Sequence, residues 1–196
     1  MKKFMMMVAV AIMAAVNVNA QSAGEMYLKP VVGGTLSTLV GDADNAKMKV
    51  GLIAGFELGY NINERFGVTA GALYALQGAK NDDTDENMNL DYLNVPVLAN
   101  VYVIPGLALK AGVQAGFLTR AKTKVNGEDF DFKDFMKKVD FSIPVGVSYE
   151  ISDFIIDARY NIGVSQINKD EHDGWLSDGS VRNSVITLTV GYKIPF

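Results

Sequence analysis

Between Val50 and Tyr60 the chain alternates without a break. Val50, Leu52, Ala54, Phe56, Leu58 and Tyr60 fall on one face of an extended segment. Gly51, Ile53, Gly55, Glu57 and Gly59 fall on the other. A helix would bring together residues three and four apart, so a period of two selects a strand. The mature sequence divides into eight such stretches. The first runs from Tyr27 to Thr38. The others carry Phe66 to Leu76, Leu93 to Val103, Leu107 to Phe117, Val139 to Tyr149, Phe154 to Ile162 and Ile186 to Phe196 on their apolar faces. Most hold that face for about ten residues, the span a tilted strand needs to cross a bilayer. Strands of soluble proteins average about five or six.

The connections alternate in length. Asn61–Arg65, Ile104-Pro105-Gly106 and Ile151-Ser152-Asp153 are short and rich in turn residues. Val40–Lys47, Lys80–Asn89, Lys122–Lys138 and Ser165–Asn183 are longer and polar. Short turns on one rim and long loops on the other describe an outer-membrane barrel. The expected fold is therefore all-β: an eight-stranded antiparallel up-and-down transmembrane β-barrel, with short periplasmic turns, long outer loops and both termini on the periplasmic side.

The face opposite the apolar one carries Lys29, Glu57, Lys110, Asp140, Glu150, Asp157, Arg159 and Lys193, with most strand glycines. Strand length and loop asymmetry place this face inside. An eight-stranded barrel has interior room only for side chains, and buried charges must be paired. A plugged lumen with paired charges is expected, the glycines leaving space for the longer charged groups. Tyr60, Phe66, Tyr149, Phe154, Tyr192 and Phe196 gather toward the short-turn rim as an aromatic girdle.

Lys2 and Lys3, the apolar run Phe4–Val16 and the small-residue site Val18-Asn19-Ala20 read as a signal peptide over residues 1–20. The barrel domain then occupies residues 21–196. Cleavage would remove two lysines and take the formal charge from −4 to about −6. This acidic balance argues against nucleic acid as a partner. The chain has no cysteine, which excludes disulfides, Cys-based metal sites and a lipoprotein anchor. At the other end Tyr192, Ile194 and Phe196 share one face and Lys193 the other. They form the expected closing strand and assembly signal, with outer-membrane lipid and the barrel assembly machinery as partners and a monomer as the product.

Three segments carry a resemblance. Tyr92-Leu93-Asn94-Val95-Pro96-Val97-Leu98 resembles the tyrosine–proline strand of the PorT-type outer-membrane β-barrel family of Bacteroidetes. Tyr160-Asn161-Ile162-Gly163-Val164 with Ile167-Asn168, and Leu188–Phe196, resemble two further strands of that family. Asn94 stands where an acidic residue is common there, and Pro195 is unusual so near the end. The resemblance implies an eight-stranded barrel akin in architecture to small OmpA-like and OmpX-like proteins, and no catalytic residues. It implies nothing about a role in secretion.

Catalytic chemistry is thinly represented. His172, the only histidine, lies in the fourth long loop among Asp170, Glu171 and Asp173, with Ser165, Ser177 and Ser180 in the same segment. A base beside a carboxylate and a hydroxyl is the logic of a nucleophilic enzyme, here a lipid-modifying one. A solvated loop histidine is the favoured reading, so no enzyme, metal or cofactor is expected. Asp82, Asp83 and Asp85, with Glu86, form an acidic loop cluster without EF-hand spacing. Trp175 beside Gly174 is a candidate surface anchor. The third loop interleaves lysines and acids with Phe130, Phe132 and Phe135, which suggests a small helix or a cap over the barrel mouth. Its lysines, near the membrane rim, could pair with lipopolysaccharide phosphates. The functional expectation is a structural or surface-interaction barrel. The alternatives are the His172 enzyme, a small pore past Glu57, Arg159 and Lys110, or a soluble barrel with Leu52, Phe56 and Leu58 around an interior cavity.

Overall fold

The computed structural model describes residues 22–41, 46–81, 87–125, 128–131, 133, 136–166 and 181–196. The expected signal segment, His172, Trp175 and the acidic cluster Asp82, Asp83, Asp85 and Glu86 lie outside them.

The strands are β1 (Met26–Gly41), β2 (Ala46–Asn61), β3 (Phe66–Asn81), β4 (Asn87–Ile104), β5 (Leu107–Val125), β6 (Glu128–Asp131), β7 (Val139–Ile151), β8 (Phe154–Gly163), β9 (Val181–Tyr192) and β10 (Ile194–Pro195). All pairings are antiparallel, and the order β1-β2-β3-β4-β5-β7-β8-β9 returns to β1. This is a closed eight-stranded barrel. β10 continues β9 beyond Lys193 and pairs with the start of β1 through Tyr27↔Pro195. Closure pairs each of the eight wall strands on both sides, which a strand in lipid requires.

The observed alternation follows the sequence. Leu52, Phe56, Val97, Val113, Phe141 and Leu188 are exposed on the outer wall, while Lys29, Glu57, Asn94, Lys110 and Asp157 are buried inside. Phe154 and Tyr192 meet edge to face, their ring centres 5.2 Å apart, on the short-turn rim.

Each proline finds a place that needs no N–H. Pro105 sits in the turn before Gly106, whose φ of 78° favours glycine. Pro30 lies in the gap between Leu28↔Ile194 and Val31↔Gly191. Pro96 lies between the pairs Ala70↔Val97 and Leu73↔Asn94, and Pro144 between Ala111↔Val145 and Gln114↔Ser142. Pro195 follows the last β8–β9 pair, Phe154↔Tyr192, where its strand is paired with β1. A Pro at such a gap withholds no ladder hydrogen bond.

The wall is taller on one side than the alternation suggests. β1 to β5 hold 16 to 19 residues, whereas β7, β8 and β9 hold 13, 10 and 12. Much of three expected loops is therefore strand. Beyond the apolar band these segments keep their backbone pairing but lose the apolar face that would mark them. The third loop is corrected further: Glu128–Asp131 pairs with Lys122–Val125 as a hairpin, not a helix.

Candidate functional site

Four strands supply the charged side chains in the middle of the lumen. Lys29 on β1 stands directly opposite Glu57 on β2. Asp157 and Arg159 on β8 are two residues apart and so share the inner face. Lys110 on β5 and Arg159 on β8 both pair with Gly146 of β7, which keeps the space between them free of a side chain.

The five charged groups close on one another. Lys29 Nζ is 2.5 Å from Glu57 Oε2, and Arg159 holds Glu57 through two nitrogens at 2.6 and 3.0 Å. The same guanidinium holds Asp157 at 2.6 and 2.8 Å, and Lys110 Nζ lies 2.5 Å from Asp157 Oδ2. A planar fork suits arginine to bridging two carboxylates in this way. These side chains are almost wholly buried: Glu57 is 1% exposed and Lys29 0%. The cluster holds three cations and two anions. Glycines leave the room: a Cβ at Gly71 would stand 2.7 Å from Glu57 Cγ, and one at Gly191 2.6 Å from Lys29 Cγ.

Two other polar groups lie toward the ends. At the short-turn rim Lys193 Nζ reaches Glu25 at 2.8 Å and Glu150 at 3.0 Å, and lies 5.2 Å from the centre of the Tyr27 ring. Asn61 donates to Glu25 at 3.0 Å and accepts from the Tyr102 hydroxyl at 3.2 Å. Toward the loop rim Asp140 accepts from Asn183 at 2.7 Å and from the Ser165 hydroxyl at 2.5 Å. Among the described residues its partners are neutral, which corrects the expectation that the inward charges pair throughout. A carboxylate with two lone-pair regions per oxygen is satisfied by such donors.

Two apolar layers lie on the loop side of the five charges. Val31, Ile53, Leu73 and Ala75 form one inside the barrel. Leu39, Leu90, Tyr92, Leu118, Ala121 and Val181 form another around Met136, which reaches in from the segment after β6. The lumen is expected to be plugged by charged groups, so the apolar character of this plug is a departure. The signal was present in the inward parity of Leu39, Leu90 and Leu118.

Sequence-selected residues are thus brought together as Lys29, Glu57, Lys110, Asp157 and Arg159, and as Glu150 with Lys193, while Asp140 stands apart. Glu25 was missed because it precedes the first alternating stretch. Ser165, the described serine of the possible enzyme, has its hydroxyl donating to Asp140 and accepting from the Phe141 N–H at 2.7 Å. Among the described residues no three carboxylate or histidine side chains gather as a metal site.

Comparison with known proteins gives the outer membrane protein beta-barrel domain family, whose model matches residues 11–169. Similar solved structures include Ail, the attachment invasion locus protein of Yersinia pestis, at 18% identity and a TM-score of 0.54, covering 88% of this chain and 99% of that one. Neisserial surface protein A matches at 16% identity and a TM-score of 0.57, covering 86% of this chain and 97% of its own. OprG from Pseudomonas aeruginosa matches at 14% identity and a TM-score of 0.51, covering 91% and 99%. At these identities the likeness is one of fold. No curated protein matches the chain.

Proposed function

The chain belongs to the outer membrane protein beta-barrel domain family, and from that premise we propose that it is a non-enzymatic, non-conducting barrel that acts through its outer loops. The five-charge cluster, with two apolar layers on its loop side, carries this reading, since the side chains that would line a pore are in contact with one another. The barrel is a monomer, exported by the segment 1–20, with the short turns periplasmic and the long loops at the cell surface. Trp175, His172, Asp82, Asp83 and Asp85 then lie where a surface ligand or partner protein would meet them. The motif from Tyr92 to Leu98 supports a PorT-type member from Bacteroidetes.

The test is reconstitution in a planar bilayer after purification of a heat-modifiable band from the outer-membrane fraction. The barrel is expected to insert without conductance steps. Stable steps would support the pore instead. For the enzyme alternative, lipid A from cells expressing wild type or His172→Ala is expected to give the same mass spectrum. A modification present only with the wild type would reverse the assignment.

Tyr192, Ile194 and Phe196 serve as the assembly signal in this reading. Their side chains point outward, and the Phe196 N–H donates to the Met26 carbonyl oxygen at 3.0 Å. Deleting Phe196 is expected to lower the heat-modifiable protein in the outer membrane while leaving refolding in detergent nearly intact. Equal loss in both settings would mean that Phe196 matters to the fold and not to recognition.

A further inference from the structure

β5 carries one residue more than its partner at the level of β4 Asp91 and Tyr92. These two pair with Arg120 and Leu118, so Thr119 is left between the pairs. Such a bulge reverses the alternation along the strand. Up to Phe117 the odd-numbered residues face outward, and Leu118 faces the lumen. Past the bulge Ala121 is buried and the Arg120 side chain is 53% exposed. Without the extra residue Arg120 would enter the lumen.

The bulge lies where the apolar band ends toward the loops. Leu93 on β4 and Phe117 on β5 are exposed apolar residues just beside it, and they pair with each other. Asp91 shares the outward parity of Leu93, yet it is buried. Tyr74 covers it and donates its hydroxyl to Asp91 Oδ2 at 3.3 Å. The Thr119 hydroxyl donates to the Asp91 carbonyl oxygen at 2.8 Å, and an Arg120 nitrogen stands 4.0 Å from the Asp91 carboxylate. Lys133 Nζ donates to the Thr119 carbonyl oxygen at 2.9 Å. Lys138 is exposed, and its carbonyl oxygen accepts from the Leu118 N–H at 2.8 Å. Lys122, further out, stands opposite Asp131 and is left out of the set.

The Arg120 guanidinium and the Lys133 ammonium therefore stand at the bulge, with the exposed Lys138 next to it in the backbone pairing and the buried Asp91 carboxylate 4.0 Å from the guanidinium. We infer that this part of the outer wall binds the phosphorylated headgroup of an outer-leaflet lipid. Arg120 is the main phosphate ligand, Lys133 and Lys138 add positive charge, and the acyl chains lie over Leu93 and Phe117. Charge complementarity calls for an anion, and the apolar strip beside it selects one attached to a lipid. Asp91, 4.0 Å away, is a positioning residue that draws the guanidinium toward the bulge by its charge. The inference rests on the proposed membrane placement, which the test reads separately.

The test uses the full mature barrel in phosphatidylcholine nanodiscs doped with bisphosphorylated lipid A or with the same lipid A stripped of phosphate. Heat-modifiability reports insertion, and native mass spectrometry reports retained lipid. Wild type is expected to retain the phosphorylated form preferentially, and Arg120→Gln to weaken that retention about tenfold, the size of one charge-assisted contact. Arg120→Lys should lose part of it, because a lysine cannot make the two-pronged contact. Equal retention of both lipids, or no change in Arg120→Gln, would overturn the site. Competition by millimolar inorganic phosphate would overturn the lipid as its source. Failure of the wild type to insert would sink the membrane reading and this site with it.

Discussion

Replacing Glu57 with glutamine is expected to destabilise the folded barrel by about 3–5 kcal/mol, the scale for breaking a buried ion pair from one side. Glu57 touches both Lys29 and Arg159. Its neutralisation leaves Asp157 as the remaining carboxylate of the cluster among three cations. Arg159→Met should cost less, although it removes the group with the most contacts. It leaves Lys29 beside Glu57 and Lys110 beside Asp157, two opposite pairs. The midpoint of urea unfolding, followed by the heat-modifiable band in lipid vesicles, measures both. Glu57→Gln should have the lower midpoint. The reverse order would mean that the guanidinium's hydrogen bonds outweigh the charge balance.

Gly112→Val is expected to cost about 1–3 kcal/mol or more, as overpacking of a filled interior does. A Cβ at Gly112 would run into the Val97 carbonyl oxygen and stand 2.9 Å from Leu98 Cα. Both obstacles are backbone of the neighbouring strand, so neither can rotate away. The matched control is Ala111→Val, one residue earlier on the lipid-facing wall, where a surface change is worth within about 0.5 kcal/mol. Refolding yield and urea midpoint should fall for the first variant and hold for the second. Equal behaviour would show that the wall at Gly112 can widen.

The barrel was legible in the sequence because lipid imposes a rule on every second residue. Leu52, Phe56, Val97 and Leu188 face outward as their parity requires. Partnership inside was less legible. Lys29 and Glu57 meet because β1 and β2 are in a register that no single strand reveals. Asp140 looks like one more lumen charge in its own strand, and only the fold brings Asn183 and Ser165 to it.

The outer halves of the tall strands were hidden for another reason. Past Leu76, Leu93 and Phe117 both faces meet polar surroundings or the Met136 plug, so the apolar period fades while the ladder continues. The extra residue at Thr119 was illegible too. A bulge among polar residues changes no hydrophobic pattern, yet it decides that Arg120 points outward.

The most direct test of the central claim, apolar face to lipid and charge within, uses the absence of cysteine from the chain. Single cysteines replace Leu52, Val113 and Leu188, all exposed on the outer wall. Each is spin-labelled after reconstitution in lipid vesicles. Collision with oxygen, which concentrates in the bilayer, is compared with collision with a water-soluble nickel chelate. High oxygen and low nickel access at all three sites is the predicted result. High nickel access at these sites would contradict a membrane-spanning barrel.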